Sequence, residues 1–165
     1  MPNPETDLDW MRLAVEEAHR CPPSLTAFSV GAVIVGADGT ELARGHSRES
    51  DPVEHAEEAA LAKLAVPAEP AATTGDTVDA RLAGATIYST LEPCSRRASR
   101  PRPCARLILD AGIRRVVLAW REPGLFVADA RGAELLAEAG VEVVELPELA
   151  DAALAPNRHL PLLNP

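Results

Sequence analysis

His55-Ala56-Glu57, with Pro93-Cys94 and then Cys104 further along, supplies one imidazole, two thiols and one spare carboxylate. Three nitrogen and sulfur donors are what a catalytic zinc takes when its fourth position is left open to water. Glu57 lies only two residues from His55 and is badly placed to be a fourth ligand. It can reach a water in the open position, so the chemistry these residue types allow is metal-assisted hydrolysis with a carboxylate moving protons. Plainer readings stand beside this one. A His and a Glu on a helix usually form a solvated face, and a lone Cys is usually small core filler. Two cysteines with nine residues between them, Ser95 to Pro103, also allow a disulfide or a structural zinc.

The elements that would carry these residues favour a catalytic site. His55-Ala56-Glu57 opens an apolar helix, Thr90-Leu91-Glu92-Pro93-Cys94 ends an apolar strand, and Cys104 opens a second helix. Strand ends and helix starts are where open α/β sheets bind ligands, and a helix N-terminus favours thiolate. Along the chain, Leu8, Met11, Val15 and Ala18 recur at helical spacing to about His19, with Thr6 and Asp9 as capping candidates. Phe28 to Val35 reads as a buried strand, and Ala37-Asp38-Gly39 turns it into Thr40 to Arg44 as a hairpin. A polar loop, 46–54, precedes the helix His55 to Val66. Residues 67–84, without periodicity, read as a long exposed loop. The remaining expectations are a strand at 85–90, a helix at 104–111 stopped by Gly112, a strand at 114–119, a helix at 130–139, a strand at 141–146 and a helix at 147–155. This alternation implies a three-layer α/β/α sandwich around a mixed, mostly parallel five-stranded sheet with one antiparallel hairpin.

With 165 residues, a single domain with one core over 1–165 is expected. The formal net charge of −9 argues against a broad nucleic-acid surface, which needs clustered Lys and Arg. No apolar run approaches the roughly 18 residues of a membrane span. The polar, acidic stretch Met1 to Asp9 is unlike a signal peptide, so a cytoplasmic home is expected, where cysteines serve metals more often than disulfides. Cys21, beside Pro22-Pro23, reads as a bystander.

The His-x-Glu and Pro-Cys/Cys pattern resembles the cytidine deaminase superfamily. The resemblance runs from about Leu8 to Arg158. Residues 85–95 (ATIYSTLEPCS) and 103–117 are similar to the riboflavin-pathway pyrimidine deaminase, as are 122–127, Gly132 and 139–143. The long spacing between the cysteines is typical of that branch. Elsewhere the chain departs from it. Ala27-Phe28-Ser29 stands where that branch has Asn-Pro, and Phe28-Ser29-Val30-Gly31-Ala32 is closer to nucleoside deaminases. Asp51 to Glu57 looks like guanine and tRNA-adenosine deaminases. Arg96-Arg97-Ala98 replaces a His-His-Gly, and the 165 residues leave no room for the reductase domain of the bifunctional relatives.

Carried over position by position, the resemblance implies that His55, Cys94 and Cys104 hold one zinc and that Glu57 shuttles the protons. It implies ring contacts from the Ala56 N–H and a carbonyl near Glu92, and substrate contacts from Phe28 and from His46 and Ser47 in the loop after the hairpin. His46 and Ser47 can equally be solvated. Arg96, Arg97, Arg100 and Arg102 crowd the loop between the two thiols and form a positive funnel suited to a phosphate, unless they pair with surface carboxylates. The expected function is hydrolytic removal of an exocyclic amine from a small pyrimidine-type ring. The leading substrate is the aminopyrimidine ribose-phosphate intermediate of riboflavin synthesis. Guanine, cytosine, cytidine or deoxycytidylate is the alternative, and a non-catalytic zinc-stabilised binding domain the rival of another class. The resemblance also implies a homodimer or homotetramer.

Overall fold

The structure, a computed structural model, describes residues 4–65, 80–121 and 131–164. Helix α1 (Pro4–Ala18) precedes strands β1 (Gly31–Val35) and β2 (Glu41–His46), then α2 (Ala56–Ala65) and β3 (Thr86–Leu91). Next come α3 (Cys104–Ala111), β4 (Arg115–Trp120), α4 (Gly132–Glu138), β5 (Glu142–Glu145) and α5 (Ala150–Leu154). The sheet order is β2-β1-β3-β4-β5. Strands β3, β4 and β5 pair in parallel, while β1 pairs antiparallel with both β2 and β3. Four strands thus share one direction, and the hairpin contributes a second antiparallel ladder because β1 lies inside the sheet.

Both faces are covered, which is why the inner strands β1 and β4 read as nearly unbroken apolar runs while the edge strands β2 and β5 carry charged residues. Side chains alternate across the sheet. Ile34, Ile87 and Val116 pack with Ala60 of α2, Ile108 of α3 and Leu136 of α4. Val33, Tyr88 and Val117 pack with Met11 and Ala14 of α1 and Ala153 of α5 on the other side. The three crossover helices therefore share one face and leave α1 and α5 on the other.

Several boundaries move for identifiable reasons. β1 begins at Gly31 and not at Phe28, because side chains take the preceding amides. Asn157 Oδ1 accepts from the Ser29 N–H at 2.6 Å and Ser47 Oγ from the Val30 N–H at 2.9 Å. Helix α1 starts at Pro4, since proline suits a first turn that needs no N–H, so Thr6 and Asp9 lie inside the helix. The final helix breaks into 3-10 turns at 147–149 and 155–157 around α5, each containing a proline. α3 has its expected bounds, with the Gly112 N–H bonded back to the Leu109 carbonyl. The exposed-loop expectation for 67–84 falls mostly outside the described residues. Its last part holds a 3-10 turn, Ala80–Leu82. Residues 122–130 also lie outside. No described helix is long and apolar enough to cross a membrane.

Two glycines fix the helices that matter most. A Cβ on Gly45 would sit 2.6 Å from the Ala60 nitrogen and 2.8 Å from the Ala56 oxygen, so α2 rests directly on the backbone of β2. A Cβ on Gly132 would sit 1.7 Å from the Pro93 oxygen, so the start of α4 abuts the segment that carries Cys94.

Candidate active site

At the C-terminal end of β3 the chain continues through Glu92 and Pro93 to Cys94. The Glu92 N–H donates to the Trp120 carbonyl of β4, and its buried carboxylate accepts from the Ala133 N–H at 2.8 Å. The Cys94 carbonyl accepts from the Ala105 N–H, and the Cys104 N–H donates to Cys94 Sγ at 3.2 Å. The β3 end, the start of α3 and the start of α4 are therefore bolted together, and α2 brings His55 onto the same spot.

His55 Nδ1 lies 3.6 Å from Cys94 Sγ and 3.4 Å from Cys104 Sγ. A tetrahedral zinc with N and S bonds of about 2.05 and 2.3 Å would set those donors about 3.6 Å apart. The three atoms lie within 4.8 Å of one another, so the donor set fits zinc in spacing as well as in kind. All three cysteines are free thiols, which removes the disulfide reading. The three donors also perturb one another electrostatically. Cys94 is pulled far down, to about 4, chiefly by the Cys104 thiol donating to it, against its own burial. Cys104 is pushed up as the donor of that pair and by burial. Burial would depress His55, but the hydrogen bond with Cys94 and the Glu57 charge outweigh it and the net displacement is upward. Cys94 thus presents a thiolate.

A cavity of about 490 Å³ opens beside these donors, with His55, Glu57 and Cys94 in its wall. Its size falls in the range of small-molecule sites. Glu57 is buried at 4 % exposure, and burial raises its pKa, with the His55 charge opposing. Ser89 Oγ donates to Glu57 Oε1 at 2.8 Å. Phe28 stands in the same wall, set edge-on to Trp120 with centroids 5.6 Å apart. Ser47 and Glu92 line the cavity too, and Ala56 is fully buried at the first position of α2, where an N–H has no intrahelical acceptor.

Other expected contacts are placed elsewhere. His46 is not in the cavity wall. It ends β2 and pairs through Nδ1 with Glu17 of α1 at 3.0 Å and with Glu49 at 3.2 Å. Arg96 lines a neighbouring cleft with Ser95 and Arg131. The Arg97 guanidinium, 3 % exposed, bonds Glu58 and the Val53 carbonyl. Arg100 pairs with Glu58 and Asp51, and Arg102 with Asp110. Arg97, Arg100 and Arg102 of the loop therefore hold carboxylates. The cavity is lined instead by Arg48, which the sequence reading passed over. Arg48 sits at φ 60° and its guanidinium bonds Phe28 O, Pro22 O and Ser29 Oγ. Ser89 was missed as well, although a hydroxyl within a strand covered on both faces demands a partner. Cys21, whose thiol burial pushes up, bonds the Val30 carbonyl and is not among the cavity-lining residues.

A mixed sheet that gathers a His-Cys-Cys donor set and a buried carboxylate at one cavity is a site for metal-assisted hydrolysis. The chain belongs to the cytidine and deoxycytidylate deaminase family, whose zinc-binding region matches residues 4–120. It is 40% identical over 137 residues to the diaminohydroxyphosphoribosylamino-pyrimidine deaminase of Schizosaccharomyces pombe, covering 83% of this chain and 31% of that protein. Among solved structures, Acinetobacter baumannii RibD is similar at a TM-score of 0.75 and 31% identity, covering 96% of this chain and 40% of that one. Aspergillus oryzae Rib2 deaminase, a C-terminal deletion mutant in complex with DARIPP, shares the fold at a TM-score of 0.66 and 23% identity, covering 93% of each chain. The chain spans about a third of the length of the curated relatives it matches.

Proposed function

We propose that the protein is a zinc-dependent hydrolytic deaminase acting on the aminopyrimidine ribose-phosphate intermediate of riboflavin synthesis. The observation that carries the reading is the spacing of His55, Cys94 and Cys104 beside a buried Glu57 on one cavity. The names of the relatives support the substrate class. Zinc held by the three donors would supply the Lewis acidity that brings a water's pKa from about 15.7 to about 7. Glu57 takes a proton inside the cavity, places it on the ring nitrogen next to the amine-bearing carbon, and later delivers a proton to the departing ammonia. Burial raises its pKa, which favours a carboxylate that gives a proton back as well as taking one. Phe28 packs against one side of the ring, and the Ala56 N–H with a carbonyl near Glu92 holds its edge. The balance is one water in, one ammonia out, and a ring carbonyl where the amine stood.

One observation favours a second reading, deamination of an unphosphorylated base or nucleoside. The arginines of the loop, Arg97 and Arg100, are already paired with Glu58 and Asp51. Ammonia release by the zinc-loaded protein across bases, nucleosides, nucleotides and the riboflavin intermediate decides between them. The first reading requires the highest kcat/KM on the ribose-phosphate aminopyrimidine, and a preference for a free base overturns it. Self-association as a homodimer or homotetramer belongs to the same proposal and is read by sedimentation.

A further inference from the structure

Ser89 is the one polar residue on its face of β3, and it is completely buried. Its strand partners on either side are Ala32 of β1 and Leu118 of β4, neither of which offers its side chain a hydrogen bond. Its hydroxyl has two acceptors in reach, Glu57 Oε1 at 2.8 Å and the Leu91 carbonyl at 2.7 Å. A buried hydroxyl that met only apolar groups would destabilise the strand, so this geometry ties the residue to Glu57 and to the strand end that leads to Cys94.

We propose that Ser89 is a positioning residue for the reaction. Its hydroxyl pins Glu57 Oε1, so the carboxylate keeps one rotamer and Oε2 becomes the oxygen that carries the proton. The hydrogen bond occupies Oε1, and the two oxygens acquire separate tasks. The Leu91 carbonyl, competing for the same hydrogen, keeps the hydroxyl on the side of Glu57 that faces the end of β3. A carboxylate that serves first as base and then as acid must return to one place between its two transfers, and a fixed anchor on the non-reacting oxygen provides that return. The proposal rests on the reading of Glu57 as the proton carrier.

The test compares Ser89→Ala and Ser89→Thr in the zinc-loaded full chain. Ser89→Ala is expected to lower kcat by about 10- to 100-fold, the effect of one lost hydrogen bond to a charged group. KM and zinc per chain should stay near parental values, the melting temperature should fall by no more than about 12 °C, and Ser89→Thr, which restores the hydroxyl, should recover most of kcat. Crystal structures add a readout independent of turnover: Glu57 in more than one rotamer in Ser89→Ala, and in one rotamer in the parent. An unchanged kcat with an unchanged Glu57 rotamer in Ser89→Ala overturns the proposal, and so does a loss expressed only as lost zinc or lowered melting temperature. Failure of the functional reading looks different, because a parent that releases ammonia from no ring leaves the rotamer comparison standing.

Discussion

Arg97→Ala separates two roles for the loop between Cys94 and Cys104. As a phosphate ligand, Arg97 would be dispensable for folding and important for one class of substrate. In the structure it is 3 % exposed, and it ties the loop to Glu58 of α2 and to the Val53 carbonyl. Glu58 follows Glu57, and the loop runs from Cys94 to Cys104, so the clamp spans the site. Each charge-assisted hydrogen bond lost is worth about 1.5–3 kcal/mol. Arg100 still pairs with Glu58 at 3.0 Å, which keeps the total near the lower end, about 3 kcal/mol. For a domain of this size that lowers the melting temperature by about 6–12 °C. Zinc should also be lost sooner to a chelator, because Cys94 and Cys104 no longer share a tethered loop. Differential scanning fluorimetry and chelator competition measure both effects. A variant with parental melting temperature and zinc affinity, yet impaired only on phosphorylated substrate, would falsify the clamp and restore the phosphate role.

Cys94→Ala or Cys104→Ala removes one of three donors, and zinc measured by atomic emission should fall from near one per chain to a small fraction. Retention of full zinc by the double variant contradicts the donor set. Glu57→Gln should keep zinc and fold while kcat drops by about 10²–10⁴, the usual contribution of a general acid–base group. Turnover within tenfold of the parent makes Glu57 a bystander. Asp7 accepts two Arg115 bonds at 2.8 and 2.9 Å and the Tyr88 hydroxyl at 2.7 Å. Burial works against its charge, but those partners prevail and its pKa lies below 3.8. Its contribution to stability is thus fully present above about pH 4 and is lost as pH falls through the depressed value. Asp7→Asn should cost about 3 kcal/mol at pH 7 by leaving Arg115 short of a buried partner. The gap to the parent should narrow in acid melts, and a constant gap from pH 7 to pH 2 contradicts the assignment.

That His55, Cys94 and Cys104 converge is legible in the sequence because each sits beside an element whose pattern marks its own boundary. Cys104 starts a helix that is capped by Gly112, and Cys94 follows a strand buried along its whole length. What could not be read is set by register and by pairing across distance. His46 and Ser47 are neighbours that looked equivalent while the strand was taken to end at Arg44. β2 runs on to His46, which pairs with Gly31, and alternation then sends His46 to the α1 face with Arg44 while Ser47 turns to the cavity. A two-residue difference in where the strand ends therefore decides which of them lines the cavity.

The arginines show the same limit through charge. Four guanidinium groups in nine residues of an acidic chain look like a funnel so long as only neighbours in sequence are counted. Glu58 and Asp51 lie about forty to fifty positions away and reach the loop only because α2 folds over it. The carboxylate density that made the arginines conspicuous is also what engages them. Ser89 carries the opposite lesson. Its hydroxyl sits in a run of residues buried on both faces, where a polar atom must have a partner, and among the charged residues of the site Glu57 is the one it meets. In this chain a polar atom placed in the core leads to the buried carboxylate of the cavity, while charges on the loop lead to other charges.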